Sequence, residues 1–151
     1  MPVRPSSRSN KPVLPLTRRL ARFRYQLRKF LRFSERAARA CGVTPQQHQL
    51  LLGAAGFTGR GWATVSELAE FLQERHNAVV GLVQRAVRAG LVRKTHPARD
   101  QRFVRVHLTP RGVKTLRRLT QLHQRELERF EGGLPLLAGV RPRRLSRCQE
   151  I

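Results

Sequence analysis

The order of helix and strand signals in the middle of the chain restricts its possible folds more than any other feature. Thr64-Val65-Ser66-Glu67 has the pattern of a capping box and predicts the start of a short helix, Val65–Leu72. Gln73-Glu74-Arg75 predicts a turn, and a second helix follows from His76 to Ala89, where Gly90 ends it. Two short helices joined by a tight polar turn predict a helix-turn-helix unit.

Beyond this unit the hydrophobic pattern changes from helix-like to strand-like. Residues 91–95 and 103–108 have strand character, and the second segment alternates apolar and basic side chains. The basic segment 96–102 predicts a turn, so the two strands are expected to form a β-hairpin, here called the wing. Thr109-Pro110 then begins a helix over residues 111–130 with apolar residues on one side.

Two further helices are predicted before the helix-turn-helix unit. The first runs from Thr17 to Ala40 and carries apolar residues at three- and four-residue steps. A second capping box, Thr44-Pro45-Gln46-Gln47, begins a helix that continues to Ala55. Four glycines predict a loop after it: Gly53, Gly56, Gly59 and Gly61. The expected fold is mainly α with a small β-hairpin wing (α+β class), a winged helix-turn-helix.

The charge of the chain is large and unevenly distributed. Its 151 residues include 31 Lys+Arg and 9 Asp+Glu, which gives a formal net charge of +22. Residues 1–40 carry +11 of this excess, residues 41–80 carry −1, and residues 81–110 and 111–151 carry +6 each. Such a chain is expected to bind a polyanion. A hydrophobic content of 40% is enough to bury a core, which argues against disorder throughout.

The two ends of the chain differ in composition from the part between them. Residues 1–16 hold four prolines among serines and arginines, which predicts a disordered basic arm. The same composition is also typical of an organelle transit peptide, but here the basic pattern continues into a helix. Residues 17–131 are expected to form the winged-helix domain with its flanking helices. Residues 132–151 are expected to form a basic tail that joins the dimer contact.

The sequence lacks an apolar membrane span and a disulfide framework, and both absences bear on where the protein is expected to act. No apolar run approaches the roughly 18 residues of a membrane span. Two cysteines cannot form a disulfide framework, which favours a reducing compartment. We therefore expect a cytoplasmic protein that binds no membrane. Cys41 is expected to be a small buried residue and Cys148 an incidental residue of the tail.

The second helix of the helix-turn-helix unit has an apolar face and a polar face. The outward-facing residues are Asn77, Ala78, Gly81, Gln84, Arg85 and Arg88. Gly81 would let the helix approach the major groove closely, where Asn77 and Gln84 can read bases and the arginines can reach guanine or phosphate. Alternatively, the glycine relieves a crowded helix crossing and the arginines form a solvated face. Arg75 and His76 stand at the helix N-terminus, where backbone N–H groups favour a phosphate.

Residues that could support catalysis or metal binding are scattered. The five histidines have no zinc-ligand spacing with cysteine, and the glycines do not form a phosphate-binding loop. We therefore expect no enzymatic activity, no metal and no cofactor. Three residues could line a ligand pocket but are more typical of a core: His48, Phe57 and Trp62.

Several segments, taken in order, carry a resemblance to a known family. They are Val43-Thr44-Pro45, Ser66–Leu72, Leu82–Arg85, Ala89–Arg93, and Asp100-Gln101-Arg102 followed by Val106–Gly112. In this order and spacing they resemble the MarR-type winged-helix regulators of bacteria and archaea over about residues 20–130. The last segment is the most specific, because it matches the family's wing signature of Asp, any residue and Arg, then a strand ending in Leu-Thr with a nearby Gly.

The resemblance implies a homodimer with interlocking terminal helices, whose two recognition helices enter successive major grooves of a pseudo-palindrome in double-stranded DNA. It implies that Arg102 enters the minor groove and that Asp100 orients it, with Arg99 beside them at the tip of the wing. A surface ion pair of structural role alone is the alternative for Asp100 and Arg102. Many members of the family release DNA when a small effector binds, and this sequence does not specify one.

Two departures from the family pattern bear on the dimer. Gly132-Gly133, Pro135 and Gly139 interrupt the region where the family has its last dimerisation helix, so the dimer contact is expected to differ. The basic N-terminal arm is long and is expected to add phosphate contacts.

The expected function is that of a dimeric, sequence-specific DNA-binding transcriptional regulator acting as a repressor. Two alternatives also fit the sequence. One is an architectural or RNA-associated winged helix that binds nucleic acid through charge without sequence preference. The other is a protein-interaction module that docks an acidic partner.

Overall fold

The computed structural model describes residues 15–96 and 103–130. The described elements, in chain order, are helices α1 (Pro15–Ala40) and α2 (Pro45–Leu52), a π-helical turn (Gly53–Phe57), strand β1 (Trp62–Thr64), helices α3 (Val65–Leu72) and α4 (His76–Arg88), strands β2 (Val92–Thr95) and β3 (Arg105–Leu108), and helix α5 (Pro110–Phe130). Residues 1–14 of the predicted arm, the tip of the wing over 97–102 and the predicted tail lie outside the described residues. Pro15 and Leu16, which were assigned to the arm, form the start of α1 instead.

The expected fold class, mainly helical with a small antiparallel sheet, is confirmed. Both predicted capping boxes are present. The Thr44 hydroxyl accepts a hydrogen bond from the Gln47 backbone N–H at 3.1 Å, and the Gln47 side chain accepts one from the Thr44 N–H at 2.9 Å. Thr64 and Glu67 make the same pair of bonds at the start of α3. The two helices therefore begin where their sequences specify.

The helix was predicted to continue to Ala55 and then give way to a loop, and the loop prediction was wrong at Gly56 and Phe57. Gly53–Phe57 continue the helix as a π-helical turn, and Trp62–Thr64 form a third strand that the sequence did not predict. A Cβ at Gly53 would lie 2.7 Å from Cδ1 of Phe71, so this glycine permits close packing against α3 and does not end the helix. The strand was missed because three residues are too few for an alternating pattern.

The sheet has the strand order β1-β3-β2, with both pairs antiparallel. Ala63 lies opposite Val106, and both side chains are buried on the face that covers the helices. Trp62 lies opposite His107 on the outer face. The wing is therefore fixed to the helix-turn-helix unit by a strand from the segment that precedes α3.

One hydrophobic core connects the helices with the inner face of the sheet. Its largest fully buried apolar side chains are Leu50, Leu51, Leu68, Val79, Val83, Leu91, Val92, Val106 and Leu119. The apolar side of α4 enters this core, which leaves the opposite side of α4 in solvent. Among the helices of residues 15–96 and 103–130, none combines the length and the apolar character that a membrane span needs.

Candidate nucleic-acid interface

The turn between α3 and α4 is fixed by hydrogen bonds that close the end of α3. Gln73 adopts a left-handed conformation with φ of 53°, and its side-chain amide donates to the Glu70 carbonyl at 2.7 Å. The Glu74 N–H donates to the Ala69 carbonyl at 3.0 Å. Because these bonds satisfy the last carbonyls of α3, the chain turns within three residues and α4 begins at His76.

The predicted division of α4 into two faces is present in the structure. Its buried side consists of Val79, Leu82, Val83 and Ala86. The predicted outward residues that are exposed are Asn77, Ala78, Gln84, Arg85 and Arg88, and Gly81 between them is half-buried. Arg75 and His76 are exposed at the start of the helix, and Arg75 makes no side-chain capping bond. Six of the eight residues predicted for this interface therefore lie along the exposed side of α4, while Arg75 and His76 stand at its start and His76 lies beside Val80 and Val83.

The space around Gly81 decides between the two interpretations given for this glycine. A Cβ at this position would have only one described neighbour within 4 Å, Nη1 of Arg85 at 3.4 Å. No other helix among residues 15–96 and 103–130 comes within 4 Å of this position, so the glycine relieves no crowding between them. Its effect is to leave a bare backbone strip in the middle of an exposed helical face.

The cations of this face are not neutralised. Within the part of the chain that the structure describes, Arg75, Arg85 and Arg88 form no ion pair with an acidic residue. Their guanidinium groups are exposed and can each donate several hydrogen bonds to phosphate or to guanine. The exposed face of α4 therefore has long cationic side chains near both ends of the helix, with Gly81 between them.

A single threonine connects the base of the wing to both neighbouring helices. The Thr109 hydroxyl donates to the Gly90 carbonyl at 2.6 Å, just after α4, and accepts from the Gly112 N–H at 3.1 Å in the first turn of α5. The Thr109 N–H donates to the Leu91 carbonyl at 3.0 Å. The Leu-Thr-Pro-Arg-Gly segment of the sequence therefore fixes where the wing stands relative to α4.

The tip of the wing carries the remaining predicted site residues. Arg99, Asp100 and Arg102 lie outside the described residues, so their roles stay predictions. Strand β2, which leads to the tip, adds two more exposed cations, Arg93 and Lys94, on opposite faces of the sheet.

The comparisons with known proteins agree with this geometry. The MarR family model matches residues 42–102. Residues 42–102 are therefore similar to the MarR family over this part of the chain. The predicted resemblance is thereby confirmed, and the match spans α2, the helix-turn-helix unit and the wing. No individual curated protein sequence matches the chain.

Solved structures of MarR-family regulators share the fold of this chain. The MarR family transcription regulator SP03579 has a TM-score of 0.67 and 27% identity, over 79% of this chain and 77% of that one. Wild-type MarR of E. coli has a TM-score of 0.62 and 24% identity, over 79% and 83% of the two chains. A MepR mutant of S. aureus, solved bound to an oligodeoxyribonucleotide, has a TM-score of 0.61 and 20% identity, over 77% and 83%.

One cluster on the MarR-type wing was missed by sequence reasoning. The guanidinium carbons of Arg60 and Arg105 lie 4.1 and 4.4 Å from the ring centroid of Trp62. Glu67 forms an ion pair with Arg60. The sequence signal was limited to the alternation around Arg105, and the strand register was needed to bring Trp62 and Arg60 to it.

Two histidines meet where the terminal helices of this MarR-type fold join the helix-turn-helix lobe. The rings of His48 on α2 and His123 on α5 have centroids 4.8 Å apart, and Phe30 and Phe33 of α1 pack edge-on against His123. Nδ1 of His48 and Nε2 of His123 are buried and have no hydrogen-bond partner among the described residues. Burial, and secondarily the charge of His123, lowers the pKa of His48 to about 4. Both rings belong to the core, as predicted for His48.

Proposed function

We propose that this chain is a dimeric transcriptional repressor that binds a pseudo-palindromic operator in double-stranded DNA. Helix α4 enters the major groove and the wing enters the adjacent minor groove. The observation that carries the proposal is the exposed face of α4, where the backbone at Gly81 has no side chain of its own. Polar side chains that can read bases and cationic side chains that can bind phosphate lie on either side of it. A protein of this function acts in the cytoplasm on the nucleoid.

Base reading on this face is assigned to residues at both ends of the strip. Asn77 lies in the first turn of α4, where helices that enter the major groove make their base contacts, and its amide can pair with adenine. Gln84 lies two turns further along the same side and offers the same group. Arg85 and Arg88 follow at the end of the helix and reach guanine or the backbone.

Phosphate binding is assigned to the start of α4. Its first N–H groups are free of side-chain caps, and Arg75 adds a positive charge beside them. On the wing, Arg102 is assigned to the minor groove with Asp100 orienting it, and Arg99 to the adjacent backbone. The MepR mutant of S. aureus, which has the same fold, was solved bound to an oligodeoxyribonucleotide, and this supports DNA as the ligand.

The dimer is assigned to an apolar stripe on α1. Leu16, Leu20, Phe23, Leu27 and Leu31 recur at steps of four, three, four and four residues and are 36–73% exposed. Such spacing places them on one side of the helix, the pattern by which two helices pack. An exposed apolar stripe of this size favours association with a second copy of the chain.

Selection of operators from random DNA by the full chain, at physiological salt, tests the proposal. Enrichment of an inverted repeat is the expected result, because two identical recognition helices related by two-fold symmetry read two identical half-sites. Binding without a consensus and with a steep loss of affinity in salt would instead identify a nonspecific nucleic-acid binder. No binding to DNA would favour the protein-interaction module.

A further inference from the structure

The positive charge of the molecule is concentrated on α1, away from the helix that reads DNA. Nine of the 26 residues of α1 are arginine or lysine, and Glu35 is its only acidic residue. Helix α4, with 13 residues, has two arginines. The proposed DNA-reading surface therefore leaves the greatest concentration of charge in the described chain unexplained.

The cations of α1 are gathered on one side of the helix. At 3.6 residues per turn, seven of them fall within about 120° of arc. They are Arg18, Arg22, Arg28, Lys29, Arg32, Arg36 and Arg39, and all seven are exposed. We call this side the distal face. Glu35 lies at its edge, 3.9 Å from Arg39, and lines a cleft with Lys29, Arg32, Arg36 and Glu126 of α5, so two carboxylates adjoin the seven cations.

The distal face points away from the helix-turn-helix lobe. The opposite side of α1 carries Ser34, which is buried, and Leu31. These two residues share a cleft with Leu72 of α3 and Leu82 of α4. Because Leu82 belongs to the buried side of α4, the exposed side of α4 and the distal face of α1 both point away from this cleft. We expect one straight duplex on α4 to leave the distal face in solvent.

We infer that the distal face binds the phosphate backbone of a second DNA duplex, so that one dimer bridges two DNA segments. This inference rests on the proposed function. Arg18 and Arg39 are separated by about 32 Å along the helix, at 1.5 Å per residue, and carry seven cations between them. A duplex presents phosphates along its whole length at closer spacing, so a row of this length can follow the backbone without any base contact.

Chemistry favours DNA over a membrane as the second partner. An amphipathic helix binds a membrane by burying its apolar side among the lipids. The apolar side of α1 faces the lobe and the proposed dimer partner, whereas Tyr25 is the one large apolar side chain on the distal face. Arginine, which supplies six of the seven cations, binds phosphate through paired hydrogen bonds.

A bridging assay with the full chain tests the inference. The operator obtained by selection is attached to beads and saturated with protein, and capture of a labelled duplex of unrelated sequence, about 30 base pairs long, is measured. The wild type is expected to capture the second duplex. Substituting Arg18, Arg22, Lys29 and Arg36 by Gln is expected to reduce capture at least tenfold while operator affinity changes less than about threefold.

A variant with the same change in charge controls for electrostatics in general. It carries Gln at four exposed positions of α5: Lys114, Arg117, Arg118 and Arg125. Greater loss of capture in the α1 variant than in this control supports the inference. Equal loss of capture in both variants overturns the inference. Wild-type protein that binds the operator but captures no second duplex also overturns it. So does wild-type protein that binds anionic phospholipid vesicles in preference to the second duplex. Failure to select any operator would instead count against the proposed function.

Discussion

The backbone at Gly112 lies directly against the carbonyl group of Leu91. A Cβ on residue 112 would be 2.0 Å from that oxygen and 3.1 Å from its carbon, distances that no side chain can occupy. The contact joins the first turn of α5 to the start of the wing, beside the Thr109 hydrogen bonds. The glycine of the wing signature is therefore required by packing, independently of any contact with DNA.

Gly112→Ala is expected to destabilise the fold by about 2–4 kcal/mol, because either α5 or the wing must move to make room. Urea unfolding measures the change. Gly56→Ala is the matched control, since a Cβ at Gly56 meets nothing within 4 Å, and it should change stability by less than about 1 kcal/mol. Equal effects of the two substitutions would contradict the close packing described for Gly112.

Two substitutions at Gly81 are expected to affect stability and DNA binding differently. Gly81→Ala should raise the free energy of unfolding by about 0.5–1 kcal/mol, because the new Cβ has room and alanine favours a helix. Gly81→Glu should also leave a folded protein but abolish operator binding, since it places bulk and negative charge against the DNA. Thermal melting and gel shifts measure the two effects. Unchanged affinity of the Glu variant would show that this side of α4 does not face the groove.

The wing prediction compares two arginines that lie outside the described residues. Arg102→Ala is expected to weaken operator binding by about tenfold or more, since it removes a guanidinium from a narrow minor groove. Arg4→Ala, in the N-terminal arm, removes an equal charge and is expected to have the smaller effect. Gel-shift titration compares them, and equal losses of affinity would contradict the assignment of Arg102.

Substitutions in the proposed dimer contact are expected to lower the molecular mass of the protein in solution from that of a dimer to that of a monomer. Leu20→Asp combined with Leu27→Asp should weaken dimerisation at least roughly a hundredfold, because four leucines of the dimer lose their burial. Tyr25→Asp is the control, since Tyr25 is 61% exposed on the opposite side of α1. Light scattering over a concentration series measures the dimer. A double variant that dimerises as tightly as the wild type would place the interface elsewhere.

His48 makes stability depend on pH. Its pKa falls from the ordinary value of 6.5 to about 4 in the folded chain, so between these values the unfolded chain binds more protons. Stability is therefore complete above pH 6.5 and decreases as the pH falls toward 4, by up to about 1.4 kcal/mol per pH unit. The pKa of His107 is also lowered, through desolvation and its arginine neighbours, and adds in the same direction.

Urea unfolding at pH 5, 6 and 7 measures this dependence. His48→Gln should flatten it, whereas His76→Gln, at an exposed position, should leave it unchanged. A slope that is the same in wild type and the His48 variant would show that His48 is not the group responsible. Glu67, whose pKa is lowered mainly by the Thr64 backbone hydrogen bond, loses its contribution at lower pH and does not interfere.

Sequence reasoning succeeded where a residue acts on its own neighbours along the chain. The capping boxes at Thr44 and Thr64, and the two faces of α4, depend on contacts within a few residues, and each was predicted. Strand β1 and the Arg60–Trp62–Arg105 cluster were missed because they depend on register between segments about forty residues apart. No local pattern encodes that register.

The roles of the glycines show the same difference between what local sequence predicts and what depends on tertiary contacts. The sequence by itself determined that these helices would form and that one of them would have an apolar and a polar side, because caps and periodicity act between near neighbours along the chain. It also determined that the chain would attract polyanions, because the net charge is the sum over its residues. Only the tertiary structure decided that Gly53 packs against Phe71, that Gly112 is required by a carbonyl group and that Gly81 has only Arg85 near it among the described residues. A glycine has no side chain that records what lies beside it, so its role depends on the neighbours that folding brings there.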